Sequence, residues 1–224
     1  VYNLNRVIDV NFYPVPESRT SNLQHRPVGI GVQGLADCMA RLRMVYGSQE
    51  AKDFDRDVFE QIYFSALEAS CELAEKDGAY SSFAGSPASQ GLLQFDLWEK
   101  TDEVYEKGRI GSRRWEELKE RIRHHGLRNS CLISPMPTAS TSQICNSFVQ
   151  AFHPFPSVLY QRRTLAGNFM LACPGFIDDM VEAGKWTPHV QKRLQSCDGR
   201  VDHELVKDLI PEDIRKRYRS VWAV

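Results

Sequence analysis

One long amphipathic run constrains this chain more than any other feature. From Phe54 to Lys76 the apolar residues Phe59, Ile62, Ala66, Ala69 and Leu73 recur at helical spacing and mark one stripe. Asp53, Asp55 and Asp57 crowd its start, where the helix dipole favours anions, and Gly78 suits its stop. Ser48 is placed to act as the N-cap. A helix this long with a single apolar stripe has to bury that stripe against other elements.

The neighbouring segments supply those elements. Leu4, Val7, Ile8 and Asn11 sit at helical spacing until Pro14 and Pro16 end the pattern. Residues 17–27, ESRTSNLQHRP, read as a polar loop. A helical pattern resumes with Val32, Leu35, Ala36, Met39 and Leu42 and breaks at Gly47-Ser48. Residues 80–91 form a loop rich in Gly, Ser and Pro. Residues 107–128 are locally basic, with Trp115, Leu118 and Ile122 as a helical apolar edge. They read as a solvated helix face, because a nucleic-acid patch interleaves exposed aromatics and only Trp115 is present. Cys131-Leu132-Ile133 reads as a short buried strand, and Thr138 to Ile144 as a turn entering a helix. Residues 145–157 have no clear period, Val158 to Leu165 reads as a strand, and Phe176 to Ala183 as a helix. Helices dominate with a few short strands between them, which predicts an α/β fold. There is no internal repeat.

Composition excludes several function classes. A chain of 224 residues, 42% hydrophobic, buries roughly 70–75% of its unfolded surface, enough for one sizeable core. A formal net charge of -1 provides no overall field for nucleic acid or an anionic membrane. No apolar run approaches the roughly 20 residues of a membrane span, and residues 1–10 lack the basic start and apolar stretch of a signal peptide. The six cysteines are widely spaced with no C-x-x-C, which predicts reduced thiols in a cytoplasmic protein rather than a disulfide scaffold or zinc ribbon. The chain has no initiator Met and opens on a helical pattern, so it is expected to be a piece of a longer protein.

Four constellations were weighed for chemistry. GIGVQG, Gly29 to Gly34, has the G-x-G-x-x-G spacing of a dinucleotide site. The residues before it are polar and include a proline, and the residues about twenty further on open a helix, so neither the strand nor the acid that such a site needs is present. These glycines read instead as a helix start packed closely against a neighbour. The histidines His25, His124, His125, His153, His189 and His203 match no metal-ligand spacing, so no metal site is expected. No G-x-S-x-G elbow is present, and nothing pairs a cysteine with a histidine. The fourth is the hydroxyl cluster after Cys131-Leu132-Ile133: Thr138, Ser140, Thr141 and Ser142. A turn opening a helix offers free N–H groups, and hydroxyls beside it add donors, which together make a phosphate cradle without lysine. The same residues also read as an over-supplied N-cap, and local chemistry leaves both readings open.

GLRNSCLISPMPTASTSQI, residues 126–144, resembles the signature stretch of the large (catalytic) subunit of class I ribonucleotide reductase. Trp115, Leu118, Gly126, Leu127, Arg128, Asn129, Ser134 and Pro137 fit it in order and spacing. Residues 3–37, residues 66–98, LYQRRTLAGNF and the closing YRSVW resemble the same family, so the likeness covers nearly the whole chain. The resemblance implies part of a ten-stranded α/β barrel, helix-rich here, with residues 1–224 belonging to the C-terminal catalytic barrel domain. It implies reduction of ribonucleoside diphosphates to deoxyribonucleoside diphosphates by thiyl-radical chemistry. Thr138, Ala139, Ser140 and Thr141 match the stretch that binds the substrate diphosphate. It further implies ATP and deoxynucleotide effectors, a radical supplied by a small subunit, thioredoxin or glutaredoxin as reductant, and a homodimer of large subunits. None of these cofactors is expected to bind this segment.

The resemblance also marks departures. The family's radical cysteine lies in an Asn-x-Cys-x-Glu stretch, and none of Cys38, Cys71, Cys131, Cys145, Cys173 or Cys197 has those neighbours. In the family that stretch and the effector regions lie upstream of the part matched here, and the tyrosines of the radical path and the redox cysteines lie downstream. No catalytic residue is therefore expected in this segment. The chain alone is expected to be inactive, and poorly soluble or molten. After Gln143-Ile144 the family carries a Gly-Asn-Asn-Glu run, whereas residues 145–158 here read CNSFVQAFHPFPSV. That departure supports an alternative: a degenerate, non-catalytic reductase-like protein acting as a binding or regulatory partner.

Overall fold

The structure, a computed structural model, describes residues 1–223. The helices are α1 (Tyr2–Val10), α2 (Pro16–His25), α3 (Leu35–Arg41), α4 (Gln49–Asp77), α5 (Gln94–Leu97), α6 (Thr101–Lys107), α7 (Ser112–His125), α8 (Thr141–Ile144), α9 (Pro174–Glu182), α10 (Pro188–Ser196) and α11 (Glu212–Arg217). The strands are β1 (Leu159–Thr164) and β2 (Gly167–Ala172). The chain divides into two compact units, residues 1–31 with 54–135, and residues 32–53 with 136 onward.

The first unit is built on α4 and α7. Ser48 Oγ accepts from Ala51 N at 3.1 Å and starts α4 as expected, and Gly78, at φ 82°, ends it. The buried face of α4 differs from the stripe read in the sequence. Ala66 is buried, but Phe59, Ile62, Ala69 and Leu73 are only half-buried. The buried line runs through Glu60, Phe64, Leu67, Cys71 and Ala74. Glu60 explains the rotation: its carboxylate accepts from Arg109 N (2.7 Å), Ile110 N (3.3 Å) and Trp115 Nε1 (3.2 Å), so a charged residue sits inside as an acceptor. Trp115 packs edge-on to Phe64 and Phe95 at 5.0 and 4.9 Å, and Leu118 and Ile122 follow it into the core along α7.

Residues 17–27 do not form the expected loop; most of them lie in α2. Pro16 occupies its first turn, where a missing N–H leaves nothing unsatisfied, and no residue of α2 is buried, which is why its sequence looks like a loop. Arg26 then turns left-handed at φ 45° and is buried, with Nε on Asn5 Oδ1 (3.1 Å) and a terminal nitrogen on Asp9 Oδ1 (2.7 Å). Asn129 closes the network by donating to Arg26 O at 2.7 Å and accepting from the Ser70 hydroxyl at 3.0 Å. The strand expected at Cys131-Leu132-Ile133 is present as a short parallel pairing. Val28 N and Ile30 N donate to Cys131 O and Leu132 O at 3.0 and 2.8 Å, and Ser134 N returns to Ile30 O at 3.0 Å.

In the second unit β1 and β2 form an antiparallel hairpin in register Leu159↔Ala172 to Thr164↔Gly167. β1 matches the strand read from the sequence, but β2 was not foreseen. The core gathers Val149, Phe155, Val158, Phe176, Met180, Leu194 and Tyr218. Asp179 accepts from Arg217 and from the Tyr218 hydroxyl at 2.9 and 2.8 Å and ties α9 to the end of α11. Among the described residues the only sheet is this two-stranded one, so the fold is helix-rich and no closed barrel is formed. All six cysteines are free thiols, and among the described residues no helix is long and apolar enough to cross a membrane.

Candidate functional site

Thr138, Ala139, Ser140 and Thr141 all lie in the second unit, on the turn into α8. The helix is a single turn of four residues rather than a long one, so its dipole contributes little and the loop itself must supply the donors. Ala139, Ser140 and Thr141 are exposed. Among the described residues, their backbone N–H groups and the Ser140 and Thr141 hydroxyls make no hydrogen bond within the chain. Three N–H groups and two hydroxyls on consecutive residues are thus open to solvent.

Thr138 behaves differently from the other three. Its hydroxyl faces inward, accepts from Ala151 N at 2.8 Å and lies 2.7 Å from Ser142 Oγ. Its carbonyl takes Ser142 N at 2.9 Å. It is also left-handed at φ 50°, a costly conformation for a β-branched residue. Asn146 and Ala151 are left-handed too, at φ 57° and 44°. Three such residues within one short stretch mark stored backbone strain, which collects at ligand sites.

The strain is held by a clasp of main chain. Ala151 is fully buried, its carbonyl takes Leu35 N at 3.1 Å, and Asp37 Oδ2 accepts from Phe148 N and Val149 N at 2.8 and 3.0 Å. Burial pushes the Asp37 carboxyl up, and the two backbone N–H groups and Arg41 pull it down less strongly. Gly34 makes the approach possible: it is left-handed at φ 70°, and a Cβ there would lie 2.9 Å from Ser147 Oγ. The last glycine of GIGVQG therefore has a packing role, at the start of α3 as read from the sequence. Ser142 belongs to the hydroxyl cluster read from the sequence, whereas Asp37 and Ala151 were not singled out there. The available signal was an acid in the first turn of a helix directly after a glycine.

A cleft of about 610 Å³ lies elsewhere in this unit, lined by Arg43, Val45, Glu212, Asp213, Lys216 and Arg217. Its cations are already paired, Arg43 with Glu182, Lys216 with Glu212, and Arg217 with Asp179 and Asp213. Among the described residues no group of three or more His, Cys, Asp or Glu side chains is placed to hold a metal ion.

The segment is helix-rich and presents an open set of hydroxyl and N–H donors on a left-handed turn, and comparison with known proteins gives the chain a family. The sequence model of the ribonucleotide reductase barrel domain matches residues 1–224. The ribonucleoside-diphosphate reductase large chain of Cryptosporidium parvum is 49% identical over 222 residues, 99% of this chain and 26% of that protein. The large chain of Schizosaccharomyces pombe is 47% identical over 223 residues, again 99% and 26%. The large subunit of Vaccinia virus is 43% identical over 224 residues, 100% and 28%. The chain belongs to the ribonucleotide reductase barrel-domain family. It spans about a quarter of the length of the relatives it matches.

Proposed function

We propose that the chain is part of a ribonucleoside-diphosphate reductase large subunit, and that Thr138, Ala139, Ser140 and Thr141 hold the substrate's diphosphate. The observation that carries this reading is the set of unpartnered donors on Ala139, Ser140 and Thr141, presented on a backbone that Thr138 fixes in a strained turn. An anion with several acceptor oxygens fits consecutive N–H and O–H donors better than any neutral ligand does. Residues 1–224 form part of the C-terminal catalytic barrel domain, and the remaining strands of a ten-stranded α/β barrel come from chain outside this segment. The thiyl radical, the small subunit that supplies it, the ATP and deoxynucleotide effectors, the thioredoxin or glutaredoxin reductant and the homodimer contact all lie outside it too. The site of action is the cytoplasm, and the product feeds DNA synthesis.

The test is Ser140→Ala and Thr141→Val in the full-length subunit. Each hydrogen bond to a charged oxygen is worth roughly 1.5–3 kcal/mol, so each variant is expected to raise the KM for nucleoside diphosphate about 10- to 150-fold. An unchanged KM in both overturns the assignment. The alternative, a degenerate binding or regulatory protein, requires a parent gene without an Asn-x-Cys-x-Glu stretch, and finding that stretch in frame removes it.

A further inference from the structure

We infer that Asp37 is a positioning residue for the diphosphate loop, acting through the main chain of residues 147–151. This rests on the reading of Thr138–Thr141 as the diphosphate site. The geometry runs in one direction. A single carboxylate oxygen, Oδ2, takes both Phe148 N and Val149 N. Two residues on, Ala151 gives its carbonyl to Leu35 N and its N–H to the Thr138 hydroxyl. Ser147 N binds Ser142 O at 2.8 Å, and Ser142 Oγ meets the same Thr138 hydroxyl. The segment 147–151 is therefore clamped by the first turn of α3 on one side and by the diphosphate turn on the other.

Thr138 sets the left-handed bend that presents the N–H groups of Ala139, Ser140 and Thr141, and it holds that bend only while Ala151 N stays in place. Removing Asp37 frees the N–H groups of Phe148 and Val149, which lie within three residues of Ala151. The turn then loses its fixed partner while every group that touches substrate remains. An ordering loss of that kind weakens binding of the diphosphate and leaves chemistry on bound substrate unchanged. Asparagine keeps an acceptor oxygen for both N–H groups, so its effect is expected to be small, whereas alanine removes the acceptor.

The experiment uses the full-length subunit assembled with its small subunit. Asp37→Ala is expected to raise the KM for a nucleoside diphosphate five- to fifty-fold with kcat within twofold, and to leave the binding of the free nucleoside unchanged. Asp37→Asn is expected to restore KM to within threefold. Gly34→Ala, which drives a Cβ against Ser147, is a second route to the same loss should Asp37→Ala fail to fold. If Ser140→Ala and Thr141→Val raise KM while Asp37→Ala and Gly34→Ala do not, the positioning inference is wrong and the diphosphate site stands. If Asp37→Ala lowers kcat and KM is untouched, or if Asn fails to rescue, the inference is likewise wrong. If Ser140→Ala and Thr141→Val have no effect, it is the diphosphate reading that fails.

Discussion

Replacing Thr138 with valine removes one hydroxyl and keeps the β-branched shape, so the left-handed backbone at φ 50° carries the same steric burden before and after. Two groups lose a partner. Ala151 N belongs to a residue with 0% exposure and has no water to turn to, and a buried donor left unpaired costs about 1–3 kcal/mol. Ser142, 1% exposed, loses the contact of its Oγ, which adds roughly 0.5–1.5 kcal/mol. The clasp should then open more readily by about 1.5–4.5 kcal/mol, and at one decade per roughly 1.4 kcal/mol the Ala151 amide should exchange with deuterium about 10- to 1,600-fold faster. Site-resolved hydrogen exchange in the full-length protein reads this directly. Thr138→Ser is the control: it keeps the hydroxyl and removes the β-branch, so its Ala151 amide should exchange within about threefold of the parent. If the Thr138→Val amide exchanges at the parental rate, the hydroxyl is not the latch and the account of the loop fails.

Other consequences lie in both units. Lys119 Nζ binds Asp96 Oδ1 at 2.8 Å with both side chains nearly buried. Burial lifts the Asp96 carboxyl, but Lys119, Leu93 N and Thr101 outweigh it and hold the carboxyl below its ordinary 3.8. A depressed acid contributes stability that is complete above its unfolded pKa and is lost as pH falls through the folded one. Asp96→Asn should therefore destabilise at pH 7, and the difference should shrink as pH falls below the ordinary 3.8; urea titrations showing a constant difference through the acid range would count against it. Burial pushes the Cys71 thiol up to about 11 and the Cys173 thiol up to about 12. In native protein at pH 8 iodoacetamide should leave both unmodified, and labelling of either before unfolding contradicts the packing.

The legible parts of this fold were those whose side chains face one environment. α7 was readable because Trp115, Leu118 and Ile122 form a narrow buried edge and every other face is solvated. α4 was readable as a helix but not as a face, because Glu60 and Ser70 are buried by hydrogen bonding rather than by apolarity. α2 was missed because none of its residues is fully buried and only Leu23 leans on the core, so no apolar stripe marks it. At the candidate site the residue types left a phosphate cradle and an over-supplied N-cap both open, and hydroxyl count alone could not separate inward Thr138 from outward Ser140 and Thr141. That distinction depends on a partner thirteen residues on, Ala151 N, which no local pattern carries.

The resemblance marks 145–158 as the run that differs from the family's expected pattern, and the structure shows what its side chains reach. Its side chains rebuild the core: Val149, Phe155 and Val158 are buried, and Phe148 packs on Tyr160 at 5.2 Å. Burying a valine or phenylalanine contributes roughly 1.5–3 kcal/mol, so these residues help hold the second unit together. The contacts that shape the turn at Thr138–Thr141 are of another kind. Asp37 and Thr138 take the N–H groups of Phe148, Val149 and Ala151, and a main-chain donor is the same whatever side chain it carries, proline excepted. Because the donors of the clasp are backbone groups, exchanging the side chains of Phe148 and Val149 does not remove them, whereas Ala151, fully buried at φ 44°, and Ser147, packed against Gly34, leave little room for a larger side chain. The sequence of this run therefore bears on the stability of this unit, while the hydrogen bonds that hold the turn at Thr138 are in place. A proline at 148, 149 or 151 would delete one of these donors and is expected to loosen the turn at Thr138.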